Sequence, residues 1–135
     1  MHGRRRPLAG LALAALALGA ALACRREAPP APLDASYTVR GEVSRLPGAT
    51  DPSLWIHHEA IRGFKDMFGE VTDMGSMTMP FTPAPRLDLA GLAAGDKIEF
   101  RLEVRWKAET GKILVVAVRK LPAGTQLDFG APPSK

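Results

Sequence analysis

One stretch of this chain, "DKIEFRLEVRW" at residues 96–106, constrains the fold more than any other. Ile98, Phe100, Leu102 and Val104 alternate strictly with charged residues. Side chains along a strand point to opposite faces in turn, so this pattern describes a strand with one buried and one wet face. A helix would spread the same four residues around its circumference. Four other stretches have strand character. "SYTVRGEVSRL" (36–46) alternates Tyr37, Val39 and Val43 with polar residues around Gly41, and "SLWIHHE" (53–59) sets Leu54, Ile56 and His58 opposite Trp55 and His57. "SMTMPF" (76–81) aligns Met77, Met79 and Phe81 on one face. "GKILVVAVRKL" (111–121) is expected to be the most buried run, joined to 96–106 through "KAETG" as a short hairpin loop.

Between 76–81 and 96–106, "RLDLAGLAAGD" (86–96) is read as a helical turn. There is no long amphipathic helix and no internal repeat. Five short strands within residues 36–121 predict an all-β fold, a small five-stranded antiparallel barrel. A sandwich would usually need about seven strands. Gly41, inside the first strand, suits the sharp bend of a small barrel.

The N-terminus carries no fold. Arg4, Arg5 and Arg6 precede an uncharged Ala/Leu run at residues 8–22, and "GAALAC" then brings small residues to the only cysteine, Cys24. That is the pattern of an export signal. The run is shorter than the roughly 20 residues of a membrane span, so a cleaved signal is favoured over an uncleaved anchor. A lone cysteine forms no internal disulfide. Its place after Ala21-Leu22-Ala23 resembles a bacterial lipobox, whose cysteine is acylated, although Leu is usual where Ala21 stands. The alternative is ordinary cleavage after Ala23, leaving a free thiol. The expected organisation is a signal peptide (1–23), a lipid-anchored tether (24–35) rich in Pro and Ala, a β-barrel domain (36–129) and a flexible tail (130–135). Either cleavage places the protein outside the cytoplasm, in the first case as a membrane-anchored periplasmic or extracytoplasmic lipoprotein.

Charge excludes one large class of function. Without Arg4, Arg5 and Arg6, 15 of the 18 basic side chains remain against 14 acidic ones, and aromatics are 6% of the chain. A nucleic-acid binder of the barrel type needs a basic groove and stacking aromatics, so no nucleic-acid partner is expected.

The methionines point elsewhere. Apart from Met1, all of them, Met67, Met74, Met77 and Met79, fall within "DMFGEVTDMGSMTM". Methionine on a strand is ordinarily core filling. Here, however, Met77 and Met79 lie on one face about 7 Å apart. His58 ends the inward row of the preceding strand, so antiparallel pairing brings one imidazole opposite two thioethers at the rim of the core. Thioethers with imidazole favour Cu(I) over hard, oxygen-seeking cations. A zinc site would call for thiolates, several histidines or carboxylates, and only His57, His58 and Glu59 offer any. Those three also lack the helical spacing of a zinc hydrolase motif.

"IHHEAI", then "MTMPF", then "AGLAAGDKIEFRLEV" together resemble the CusF-type periplasmic copper/silver-binding proteins, over roughly residues 36–121. The resemblance implies a five-stranded OB-type barrel, no enzymatic activity, and binding of Cu(I) and Ag(I). Carried over by position, it implies His58, Met77 and Met79 as ligands, with His57 facing solvent or helping indirectly. This chain departs from the pattern at Met74, where the family type has a tryptophan that caps the metal. A flexible thioether there predicts a fourth ligand. The loop "AIRGFKDMFGEVTD" (60–73) is also longer than the family's, and reads as a lid, a docking surface or a tolerated insertion. The expected role is a monomeric metallochaperone or buffer in copper homeostasis, exchanging copper with an extracytoplasmic donor or acceptor protein. The alternative is an OB-type ligand-binding or interaction module without a metal.

Overall fold

A computed structural model of the protein describes residues 29–130. The expected signal peptide, Cys24 and all but the first residue of the expected tail lie outside them. The described chain holds seven strands: β1 (Ala35–Arg45), β2 (Leu54–His58), β3 (Ile61–Lys65), β4 (Val71–Met74), β5 (Met77–Pro83), β6 (Lys97–Val104) and β7 (Ile113–Lys120). Five close into a barrel in the order β1-β2-β5-β7-β6, while β3 and β4 form a separate hairpin. The all-β, five-stranded barrel is thus present, built from the five stretches named above. One seam departs from antiparallel order: β5 meets β7 in parallel at Thr82–Leu114 and Pro83–Val115.

The alternation in β6 is realised in full, with Ile98, Phe100, Leu102 and Val104 all essentially inaccessible. Each such side chain contributes about 1.5–3 kcal/mol by leaving water. They meet Val39 and Val43 of β1, Leu54 and Ile56 of β2, Phe81 of β5 and Val115 of β7 in one core. The expectation that β7 is the most buried strand fails, since only Val115 is fully buried there. Its contact with β5 ends at Val115, so its second half has a partner, β6, on one side only. The expected helical turn at 86–96 is also absent. That segment is a series of turns whose Leu87, Leu89 and Leu92 rest on the core.

The long loop is the main surprise. It folds into the β3–β4 hairpin, which is fastened to the barrel at three points. The Tyr37 hydroxyl accepts from the Lys65 N–H at 2.8 Å, and the Trp106 indole N–H donates to the Lys65 carbonyl at 3.1 Å. Phe64 inserts between the Tyr37 and Trp106 rings, at 5.5 and 6.2 Å. Asp66 shapes the tip by accepting from the N–H groups of Phe68 and Glu70, and Gly69 supplies the positive φ of 84° that the turn requires.

Gly41 is needed for space. A Cβ there would stand 2.6 Å from the His57 carbonyl oxygen and 2.7 Å from Ile56 Cγ2. Gly41→Ala should therefore push β1 off β2 and cost about 1–3 kcal/mol. Gly48→Ala, where a Cβ meets nothing within 4 Å, is the matched control and should unfold like the parent in urea.

Candidate metal centre

The barrel brings His58 to the end of β2 as its last inward residue, where it is 0% exposed. Its backbone register opposes Met77, while Ile56 opposes Met79 and Leu54 opposes Phe81. Directly paired residues hold their Cβ atoms about 4.5–5.5 Å apart and diagonal ones about 7–8 Å, so both thioethers are within side-chain reach of the imidazole. Along β5 exposure rises toward the rim, from Phe81 at 3% through half-buried Met79 to Met77 at 46%. The site is therefore a mouth in the barrel end, with the histidine at its floor and one sulfur open to solvent.

The imidazole is set in one protonation state. Nδ1 lies 2.7 Å from the carbonyl oxygen of Glu59, which only accepts, so Nδ1 carries the proton. Nε2 then holds a lone pair, and it is buried without any hydrogen-bond partner, the one such side-chain atom among the described residues. Burial lowers the His58 pKa below its ordinary 6.5 and the charge of neighbouring His57 lowers it further, against an opposing pull from the Glu59 carbonyl. A neutral, buried imidazole with an unspent Nε2 is what a soft metal ion would complete.

Neighbouring groups hold this arrangement. The Glu59 N–H donates to the Arg40 carbonyl at 2.9 Å, and its carboxylate takes two hydrogen bonds from the Arg40 guanidinium, at 2.7 and 2.9 Å. A third comes from the Asp128 N–H at 2.6 Å. Next to Asp128, Phe129 stacks on His57 at 3.8 Å with the planes 10° apart. His57 also lies 3.3 Å from the Ser76 hydroxyl, the residue before Met77. His57, expected to face solvent or to help only indirectly, is half-buried. It is clasped by a C-terminal strap that buttresses both strands of the site from outside. Phe129, Asp128 and Arg40 carried no recognisable signal in the sequence, because their roles come from contacts across the chain.

The methionines lie on the hairpin and on β5. Met74 ends β4 opposite Ile61, half-buried against the core edge and three residues before Met77. Met67 stands on the hairpin tip, 59% exposed, so it is not part of the cluster that the sequence suggested. Neither tryptophan is at the mouth. Trp55 lies on the outer face of β2, donating to Asp51 at 2.8 Å beneath the Arg45 guanidinium, and Trp106 lies under the hairpin. Strand alternation turns His57 away from His58, and Arg40 occupies Glu59, so these three do not converge. Among the described residues no three His, Cys, Asp or Glu side chains gather as a metal group.

A family model described as "Copper binding periplasmic protein CusF" matches residues 36–120. Two solved structures are similar to the chain. The crystal structure of Ag(I)CusF is 20% identical and covers 64% of this chain and 99% of its own, with a TM-score of 0.47. An apo-CusF structure from Escherichia coli is 21% identical and covers 71% of this chain and 94% of its own, with a TM-score of 0.47. No curated protein sequence matches the chain. The family match runs from the second residue of β1 to the last of β7, and so takes in the whole barrel and its mouth; the chain belongs to the family of CusF copper-binding periplasmic proteins.

Proposed function

We propose that this protein binds Cu(I), and Ag(I) in the same way, through His58, Met77, Met79 and Met74, as an extracytoplasmic metallochaperone or buffer. The observation that carries this reading is the buried Nε2 of His58, which has no protein partner and faces a strand carrying two thioethers. An unpartnered buried polar atom costs about 1–3 kcal/mol, and a ligand that takes its lone pair removes that cost. Neutral nitrogen and sulfur donors without a carboxylate suit a soft monovalent ion. The match to a copper-binding family supports the choice of metal. The export signal and lipobox-like "ALAC" support a lipid anchor at Cys24, with residues 24–35 as tether and 36–129 as the binding domain. The metal is cargo here, and no step of catalysis is invoked.

The half-exposed sulfur of Met77 is the natural point of exchange. An incoming ion meets Met77 first, then Met79 and the fixed Nε2 deeper in the mouth. A partner with soft donors would remove the ion in the reverse order, without opening the barrel.

Replacing Met77 and Met79 together by Leu keeps the volume nearly constant, so stability should change by less than about 1.5 kcal/mol. Loss of the supporting contacts of a metal ligand alone costs 10–100-fold in affinity, so loss of two ligands should weaken Cu(I) binding by at least about 100-fold. A competition titration with a Cu(I) chelator under reducing conditions checks this, and unchanged affinity would make the methionines core filling.

X-ray absorption of the Cu(I) form counts sulfur neighbours directly. We expect three sulfurs and one nitrogen, falling to two sulfurs in Met74→Ala. Two sulfurs in both proteins would remove Met74 from the site.

The lowered pKa of His58 gives a pH dependence with a definite sign. Between the lowered folded value and the ordinary 6.5 of the unfolded chain, the unfolded state binds more protons. The apo protein should therefore lose stability as pH falls below about 6.5, and this loss should level off below the folded pKa. The contribution is fully present above 6.5. Urea denaturation at pH 7.5 and 5.5, with His58→Gln as the control that lacks the difference, measures it.

A further inference from the structure

The tip of the β3–β4 hairpin is the most apolar exposed feature among the described residues. Phe68 is 85% exposed, Val71 68% and Met67 59%. Hydrogen bonds to Asp66 hold the Phe68 and Glu70 N–H groups, so the tip is a shaped turn that presents these side chains outward. The recess beside it is lined by Phe68, Met67 and Trp106 together with Lys65, Lys107 and Lys112. Among the described residues none of these lysines is in a salt bridge, and the Lys112 ammonium donates to the Trp106 and Ala108 carbonyls at 2.8 and 2.7 Å. Of the nearby acids, Asp34 accepts from the Trp106 N–H and Asp66 is spent on the turn, which leaves Glu70 as the other carboxylate of the tip.

Asp34 lines the same recess, so the chain enters the barrel beside the hairpin tip. The entry is pinned: the Arg105 guanidinium donates to the Ala31 carbonyl at 3.0 Å, and the Asp34 N–H donates to the Val104 carbonyl at 2.8 Å. Seven peptide steps separate Cys24 from Ala31, a reach of at most about 25 Å fully extended. A lipid on Cys24 would hold this end of the barrel close to the membrane. Apolar side chains at the apex with lysines outside any salt bridge around them match acyl chains lying beneath a layer of phosphates.

We propose that the hairpin tip is a membrane-contact site, in which Phe68, Met67 and Val71 enter the bilayer surface while Lys65 and Lys107 meet lipid phosphates. The orientation part of this proposal rests on the lipid-anchor reading of Cys24. The mouth with His58 and Met77 opens at the same end of the barrel, so metal exchange would take place next to the membrane.

The test uses the processed, lipid-bearing chain in vesicles of phosphatidylcholine and phosphatidylglycerol. A thiol-reactive, environment-sensitive dye is placed at Phe68→Cys or, at the opposite end of the barrel, at Gly48→Cys. The dye at 68 should shift to the blue and be quenched several-fold more by brominated acyl chains than the dye at 48. Two dyes equally in water would overturn the proposal. So would a dye at 68 that is shielded in native membranes but not by lipid alone, which would assign the tip to a protein partner. A second arm does not depend on the anchor. The chain from residue 24 with Cys24→Ala should bind the same vesicles about tenfold more weakly when Phe68→Ser is added. No change there also overturns the proposal. The mass of Cys24 in membrane-extracted protein decides the anchor separately: an unmodified thiol would end the lipoprotein reading and leave the second arm as the test of the tip.

Discussion

The hydrogen bond from His58 Nδ1 to the carbonyl of Glu59 is the constraint on which the site depends. It spends the one proton of a neutral imidazole on a neighbour in the chain, and so reserves Nε2 as a donor of electrons. It works only because the ring is buried, which keeps water from satisfying Nε2 and disfavours the charged form. Burial in turn depends on close approach of β1, where Gly41 leaves room for the backbone of His57 and His58. Arg40, Asp128 and Phe129 then fix the neighbouring residues, so the ring is held from behind while its front is left unpartnered.

On the proposed reading, such a site would carry a cost in the apo protein that the metal removes, which would couple binding to folding. That cost comes from a dry floor beneath a semi-open rim. His58 and Met79 sit against the apolar core, whereas Met77 stays half in water. A fully enclosed site would hold the ion more tightly and release it more slowly. A fully exposed one would leave the imidazole hydrated and free to protonate at its ordinary pKa. The gradient along one strand, from Phe81 to Met77, is a compromise suited to cargo.

Much of this was legible in the sequence, for a simple reason. Strand period is two, and the inward rows of β2, β5 and β6 are written without interruption as Leu54-Ile56-His58, Met77-Met79-Phe81 and Ile98-Phe100-Leu102-Val104. The expected pairing of His58 with the methionines followed from those rows, and the register agrees with it. The β3–β4 hairpin was not legible, because the irregularity between Ile61 and Phe64 breaks the period and buries two residues three apart. Gly63, with a φ of 63° at that break, was visible as a glycine but gives no direction by itself. The C-terminal strap was invisible for a different reason. Phe129 and Asp128 act on residues some seventy positions earlier, and nothing local marks them.

The hairpin also bears on the departure at Met74. A tryptophan in that position would need a flat, wide space over the ion, and its indole N–H would need a partner. Here the residue closes a short strand opposite Ile61, beside an aromatic stack of Tyr37, Phe64 and Trp106 that already ties the hairpin down. The slender, flexible side chain of Met74 packs, partly buried, against this edge of the core. The same hairpin therefore carries both the exposed apolar tip and, at its last residue, the side chain proposed to reach the mouth. If Met74 is a ligand as proposed, a thioether would take the place that the family resemblance gives to an aromatic face, and shielding the ion would become a matter of donor count instead of a cation–π contact.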